Sequence, residues 1–353
     1  MDFAKAFDRV NHSLLVHKLN HLGIRNSTNQ WISAFLHGRS QTVVVEGAKS
    51  NPIPVRSGVP QGSVLGPCLF LIYINDLSSR VSSLTRLFAD DTILYRFVAA
   101  ATDHNILQDD LKKLELWESE WDMSFHPDKC SVIPVTKKKE ATHHQYILHG
   151  HTLEHVSSAK YLGVTIQSDG KWDTHITNIV KKANQTLGFL RRNLKIGAIG
   201  IKETAYKSLV RPLLEYSSSV WDPSCQSAID QLEKVQRRAA RFVLNRHRQT
   251  SSVGEMLQTL EWSSLAQRRK NARLGMMYKI TNNLVKVKCK NLVKQPTRSR
   301  RTHSQTYNRI VCKTEARLQS FFPKTIREWN GLPEEAVSAG TVDTFMKKVA
   351  ALA

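Results

Sequence analysis

Cysteine is scarce in this sequence. The five present (Cys68, Cys130, Cys225, Cys289 and Cys312) are odd in number, widely scattered and without a CxxC pair. A disulfide framework and a structural zinc site are therefore poorly supported, and reduced intracellular thiols are expected. Long apolar runs are also missing: no stretch approaches the roughly 18 uncharged apolar residues of a membrane span. The N-terminus lacks the basic-then-apolar order of a secretory signal. The expectation is an intracellular protein, in the nucleus and/or cytoplasm, neither secreted nor associated with a membrane. Negative charge is the third shortage, with 30 Asp and Glu against 51 Lys and Arg, a net of +21.

What is there is enough for a core. At 353 residues, 41% apolar and 23% charged, the chain has room for about two domains. Its charge is uneven. Residues 1–140 hold 16 basic and 15 acidic side chains, net +1, whereas residues 141–353 hold 35 and 15, net +20. A near-neutral part followed by a strongly basic one suggests chemistry in the first and polyanion binding in the second, with nucleic acid the leading partner class. Solubility alone does not need twenty excess charges.

Local patterns give a mixed first half. Residues 3–10 read as a strand leading into a turn, 12–22 as a helix ending at Gly23, 30–36 as a short helix and 41–46 as a strand closed by Gly47. The almost wholly apolar 63–77 segment reads as a buried helix. Residues 84–89 and 92–97 form a tight hairpin pattern around an Asp-Asp pair. An amphipathic helix over 105–121 follows, then a strand pair around 132–134 and 161–166. Lys137-Lys138-Lys139 and the histidines after it read as an exposed turn between those strands. Helices are expected at 175–193, 202–218, 226–246 and 263–283, then a basic linker over about 286–304. An aromatic knot, Phe321-Phe322-Pro323…Trp329, and a short final helix close the chain. In the third of these helices Ile229, Leu232, Val235, Gln236, Ala239 and Val243 share one side. Lys234, Arg237, Arg238 and Arg241 fall within roughly a 100° arc on the other. No internal repeat is visible.

The chemistry centres on Phe88-Ala89-Asp90-Asp91. A lone Asp-Asp pair in a turn is ordinarily just a polar turn, but apolar flanks on both sides make this one the end of buried strands. A second acidic segment, Asp2-Phe3-Ala4-Lys5-Ala6-Phe7-Asp8, stands at the start. If Asp2 ends a strand beside the hairpin, Asp2 and Asp90 face each other. Two like charges about 4 Å apart repel by ~1 kcal/mol in water and ~4 kcal/mol at an effective dielectric of 20. Such a pair persists if protonated or if cations sit between, and carboxylates with retained water suit Mg²⁺.

Three segments occur in order: Asp2 to His12 (DFAKAFDRVNH), Ser57 to Pro67 (SGVPQGSVLGP) and Phe88 to Asp91. They resemble motifs A, B and C of reverse transcriptases in the form used by non-LTR, LINE-type retrotransposons of the jockey-like branch. The likeness continues through Trp117…Trp121-Asp122-Met123-Ser124-Phe125…Lys129-Cys130 and Tyr161-Leu162-Gly163-Val164. Tyr206 to Pro212 (YKSLVRP), Trp221-Asp222-Pro223 and the Phe321–Pro333 region extend it over most of the chain.

The resemblance implies an α+β fold: a reverse-transcriptase palm (an antiparallel sheet with packed helices) over 1–170, a mostly helical thumb-like region over 171–285, and a basic linker and tail over 286–353. It implies an RNA-directed DNA polymerase that transfers nucleotides from dNTPs to a DNA primer 3′-OH on an RNA template. Asp2 and Asp90, assisted by Asp91, would hold two Mg²⁺ ions, with Mn²⁺ as a substitute. Lys129 matches a general acid for departing pyrophosphate. Phe7 matches the aromatic that excludes a ribose 2′-OH. Gly58, Pro60, Gln61 and Gly62 match the loop supporting the templating pair and nucleotide, and Arg39 would contact nucleotide or template. Tyr161, Leu162 and Gly163 match the primer-grip hairpin. Lys234, Arg237, Arg238 and Arg241 would hold nucleic acid through its phosphates. His143, His144, His149, His151 and His155 lack Cys partners and helical i, i+4 order, and read as an exposed loop rather than a metal site.

The sequence departs from the family pattern in places. The family's fingers motifs and any endonuclease would stand ahead of motif A, so a chain truncated at its N-terminus is expected. Asp2 has only Met1 before it, and termini fray. His126 stands where the family usually has Asn, and no zinc knuckle follows. The alternative reading is a catalytically inactive, nucleic-acid-binding remnant. Nothing in the sequence signals an oligomeric state.

Overall fold

The computed structural model describes residues 1–138, 144–195, 198–247, 252–287, 292–295 and 303–352. Lys139, His143, Cys289 and much of the expected 286–304 linker lie outside them. The chain divides into two compact units, Met1–Gly170 and Lys171–Ala353. Helices and small sheets mix in the first, and helices make up most of the second. Among the described residues no helix is long and apolar enough to cross a membrane.

The first unit opens with α1 (Ala6–Arg9), α2 (His12–His21) and α3 (Asn26–Leu36). Asn11 caps α2, its side chain accepting from the backbone N–H groups of Ser13 and Leu14. A narrow ribbon follows: β1 (Ser40–Gln41) pairs antiparallel with β4 (Ile53–Pro54), and β2 (Val44–Val45) with β3 (Ala48–Lys49). The expected apolar helix is present as α4 (Leu65–Ile74) and a short α5 (Leu77–Arg80). Leu69, Phe70, Tyr73 and Ile74 are buried, whereas Val64 is exposed, so the segment buries one side rather than all of itself. Strands β5 (Leu84–Phe88) and β6 (Asp91–Tyr95) form the hairpin. Helix α6 (Ala101–Trp121) starts a turn earlier than expected because the Asp103 carboxylate accepts from the backbone N–H of Ala99 and Ala100, at 2.9 and 3.0 Å. Phe3, Val10, Leu15, Leu19, Leu36, Phe70, Trp117 and Phe125 belong to one core.

Two expectations are corrected in the strands beyond α6. Strand β7 (Ser131–Val132) pairs in parallel with β10 (Glu154–His155), not with 161–166. That later stretch instead folds back on itself as β11 (Ser158–Tyr161) and β12 (Val164–Gln167). The histidine-rich stretch is also more than an exposed turn. It carries the hairpin β8 (Ile147–Leu148) and β9 (His151–Thr152), and buries Tyr146, Leu148 and Leu153. His149 Nε2 lies 2.8 Å from the buried Glu118 carboxylate, whose carboxyl burial pushes up.

The second unit contains α7 (Asp173–Asn193), α8 (Ile199–Ala205), α9 (Arg211–Glu215), α10 (Ser218–Trp221), α11 (Gln226–Leu244), α12 (Val253–Thr259) and α13 (Leu265–Thr281). After these come α14 (Glu315–Leu318), α15 (Phe321–Trp329), α16 (Glu334–Val337) and α17 (Val342–Ala351). The helix expected over 202–218 is interrupted: Tyr206–Val210 widens into a π turn before Pro212, which has no N–H to give the Ser208 carbonyl. The aromatic knot forms α15, whose Ile326 and Trp329 pack with Tyr278 and Phe345. A buried ion network ties α10, α13 and α15 together. The Asp222 carboxylate accepts from Arg269 Nε at 2.8 Å, from Lys324 Nζ at 2.6 Å and from Arg273, which also meets Glu328 at 2.6 Å.

Candidate active site

The β5–β6 register explains how the acidic residues are displayed. Phe88 pairs with Asp91, Arg86 with Ile93 and Leu84 with Tyr95. Cross-strand partners share a face, so these six lie on one side of the hairpin, while Thr85, Leu87, Thr92 and Leu94 lie on the other. Thr85 and Thr92 are buried, whereas Leu84, Arg86, Phe88, Asp91 and Tyr95 are exposed. Ala89 and Asp90 form the two-residue turn, with Ala89 at φ 51°.

Asp2 is held on both sides of its strand, against the expectation of fraying. Met1 N donates to the Thr92 carbonyl at 2.8 Å and Thr92 N to the Met1 carbonyl at 3.2 Å. On the other side Ala4 N donates to Ser124 O at 2.8 Å and His126 N to Asp2 O at 2.9 Å. Phe3, 3% exposed, stacks on Phe125 with centroids 4.1 Å apart and anchors the segment in the core. The residue that bridges to Asp2 across the strands is Asp91, with Asp90 next to it in the turn. Burial first, then the Asp90 and Asp2 carboxylates, hold the Asp91 carboxyl above its usual range.

Among the described residues no three acidic, His or Cys side chains are grouped to enclose an ion. The two facing carboxylates with a third in the turn still fit Mg²⁺, which takes one or two protein carboxylates and completes its shell with water and phosphate oxygens. The Asp90 and Asp2 charges add to the effect of burial on Asp91, and a cation among the three would offset them. Lys129 supplies some positive charge, its Nζ 3.6 Å from Asp2 Oδ2.

The Ser57–Gly62 loop clasps α1 and the start of α2. Gly58 N donates to Val10 O and Val59 N to Phe7 O, both at 2.8 Å. Ser57 Oγ donates to Asp8 O at 2.8 Å and Gln61 Nε2 to Asp8 Oδ1 at 3.3 Å. Phe7, half-buried, stacks on Phe70 at 4.4 Å. The Pro60 carbonyl accepts from Ser63 Oγ at 2.7 Å, while Gln61 and Gly62 are exposed. Arg39 is half-buried, 6.0 Å from the Phe35 ring centroid. Tyr161 ends β11 at a turn in which both Leu162 (φ 46°) and Gly163 (φ 80°) take left-handed backbone, the geometry of a tight hairpin. Burial, followed by the Asp91 carboxylate, raises the Tyr161 hydroxyl, so this hairpin lies within electrostatic reach of the acidic face.

Residues 1–166 match the family described as reverse transcriptase (RNA-dependent DNA polymerase). The chain is 29% identical over 259 residues to the RNA-directed DNA polymerase from mobile element jockey of Drosophila melanogaster, covering 69% of this chain and 28% of that protein. It is 27% identical over 261 residues to the probable RNA-directed DNA polymerase from transposon X-element, with the same coverage, and 28% identical over 230 residues to a putative 115 kDa protein of retrotransposable element R1DM, covering 63% and 22%. Both are from the same fly. The chain thus spans about 28% of the length of the first two relatives.

Beyond the reverse-transcriptase match, α11 buries Leu232, Val235, Gln236, Ala239 and Val243, and half-buries Ile229. Lys234, Arg237 and Arg238 are exposed and Arg241 half-exposed. All four line a groove of about 510 Å³ with Val253, Gly254 and Leu257 of α12. Arg238 Nη1 also donates to Asn184 Oδ1 of α7 at 2.9 Å.

Sequence reasoning missed Arg86. Strand alternation was the available signal, since two residues before Phe88 means the same exposed face as Asp91. It also missed the Asp222 network, whose members are spread over more than a hundred residues and share no local pattern.

Proposed function

We propose that residues 1–170 are the palm of an RNA-directed DNA polymerase and that the helical unit from residue 171 acts as its thumb; the expected separate tail over 286–353 is not kept, because α15 and α17 pack into the same core as α13. The substrates are an RNA template, a DNA primer and dNTPs. The observation that carries this reading is the cross-strand pairing of Asp2 with Asp91, beside Asp90, on the exposed face of the hairpin.

In the proposed reaction the primer 3′-OH attacks the dNTP α-phosphate in line and pyrophosphate departs. Asp2, Asp90 and Asp91 would hold the divalent cations, which when bound lower the pKa of the attacking hydroxyl and neutralise charge on the phosphates. The chain's own groups do the positioning. Lys129 provides an ammonium beside Asp2 from which a proton can pass to the leaving pyrophosphate. The half-buried Phe7 ring, fixed by Phe70, is the wall against a ribose 2′-OH, and the Gly58–Gly62 loop lets backbone approach the nascent pair. Tyr161 to Gly163 orient the primer end, and Arg86 on the Asp91 face offers a cation for its last phosphates. Lys234, Arg237, Arg238 and Arg241 grip the duplex through phosphates, which carry no sequence information.

The test is extension of a DNA primer on an RNA template by the purified chain with Mg²⁺ and dNTPs. Synthesis is expected, and Asp90→Ala abolishes it while leaving duplex binding nearly unchanged. Duplex binding without extension by the unsubstituted chain overturns the reading in favour of a binding remnant.

A further inference from the structure

Helix α3 buries Asn29, Ile32 and Leu36. Trp31 and Phe35, four residues apart, lie on its other side, and Arg39 follows just past the helix end. The two rings stack with centroids 5.8 Å apart and planes within 11°, and the Arg39 guanidinium continues the line 6.0 Å from the Phe35 centroid. Trp31 is 58% exposed. Phe35 and Arg39 are half-buried, Phe35 against the core, so the result is a row of flat π faces and a cation that opens to water at its Trp31 end.

The charge along the neighbouring sequence is mostly positive. Residues 22–58 contain Arg25, Arg39, Lys49 and Arg56 against the single acid Glu46, inside a near-neutral first unit. The inner end of the row reaches the nucleotide-side loop. His12 Nε2 lies 2.8 Å from the Gly58 carbonyl and its ring meets His37 edge-on at 5.2 Å. Arg39 is close enough to act on the His12 imidazole, helping burial to lower it.

Every nucleobase has a face to stack and every nucleotide a phosphate, so exposed aromatics with a guanidinium and excess positive charge suit unpaired nucleic acid. The charge favours such a polyanion over an apolar protein face. We propose that Trp31, Phe35 and Arg39 form a stacking ladder for the unpaired RNA template strand next to the Gly58 loop. This identification of the strand rests on the polymerase reading above, whereas the ladder itself is a claim about unpaired nucleic acid.

Fluorescence anisotropy with the full chain tests it, using an RNA–DNA hybrid with a 5′ overhang of about eight ribonucleotides and the same hybrid made blunt. Trp31→Ala or Phe35→Ala is expected to weaken overhang binding about tenfold and leave blunt binding unchanged. Trp31→Phe, which keeps a stacking face, retains most of the affinity. Equal loss on both hybrids, or no loss on either, overturns the proposal. So does a change in oligomeric state by sedimentation without a change in overhang binding, which assigns the face to a protein contact. Circular dichroism checks that each variant is folded. The readout is binding, so ladder dependence in a chain that does not extend a primer counts against the polymerase reading alone.

Discussion

Gly58 and Asp8 are in backbone contact. A side-chain carbon on Gly58 would stand 2.8 Å from Asp8 Cα and 2.9 Å from its carbonyl oxygen, and Gly58 has φ +90°. Position 58 is thus closed to any other residue twice over, by space and by backbone angle. Because Asp8 also receives Ser57 and Gln61, this contact sets the distance between the Ser57–Gly62 loop and the strand carrying Asp2. Gly58→Ala is expected to cost about 2 kcal/mol or more, and to abolish primer extension before it abolishes folding. A melting curve within about 1 °C of the parent, with extension intact, contradicts this.

The crowding at Asp91 has a consequence for stability. Its carboxyl is raised above the ordinary 3.8 in the folded chain. A proton is therefore held more tightly folded than unfolded. Its contribution to stability is complete below about 3.8 and is lost as pH rises through the raised folded value. Asp91→Asn removes the charge responsible. The variant is expected to lose synthesis yet melt ~2 °C higher at pH 7, with a flatter dependence of Tm on pH in the acid range. Differential scanning fluorimetry across that range checks it; a lower Tm at pH 7 contradicts the electrostatic account.

Much of this was legible because it is local. The Leu232-Val235-Ala239-Val243 spacing of α11 follows directly from 3.6 residues per turn, and the basic stripe opposite comes with it. The hairpin around Asp90 was equally plain. What local pattern does not carry is which distant strand lies alongside. The backbone of Asp2 bridges to Asp91 because the register of residues 1–4 is set jointly by Thr92 on one side and Phe125 on the other. For the same reason Val132 was matched with the wrong strand. Among the histidines, Tyr146, Leu148 and Leu153 alternate into the core too sparsely to outweigh their polar neighbours. Pro212 was visible, but its effect on a helix that continues around it was not.

The Asp222 network predicts a large cost from a small change. Arg269 and Arg273 are 1% and 3% exposed, and Asp222 is the carboxylate both share. Asp222→Ala leaves the buried Arg269 guanidinium uncompensated and Arg273 with Glu328 alone, and breaking a buried pair in this way typically costs roughly 3–5 kcal/mol. Glu120→Ala, which breaks the exposed pair with Arg80 at 2.9 Å, serves as the control and is expected to cost under ~1 kcal/mol. Thermal melts and limited proteolysis should show the second unit opening in Asp222→Ala alone. Equal effects of the two substitutions would mean the buried network does not hold α10, α13 and α15 together.

The α11 stripe makes a quantitative claim about salt. Each phosphate neutralised releases counterions and adds about 0.9 to the slope of log affinity against log salt on duplex DNA. Lys234 and Arg237 are exposed on the groove, whereas Arg238 already gives one N–H to Asn184. Lys234→Ala with Arg237→Ala is therefore expected to lower the slope by about 2, and Arg238→Ala by less than about 1. Asp90→Ala, on the β5–β6 hairpin, should leave the slope almost unchanged while removing synthesis. Filter binding of an RNA–DNA hybrid at several salt concentrations separates these effects. If the double substitution weakens binding without changing the slope, the stripe contributes something other than phosphate contacts, and the groove is not where the duplex backbone lies.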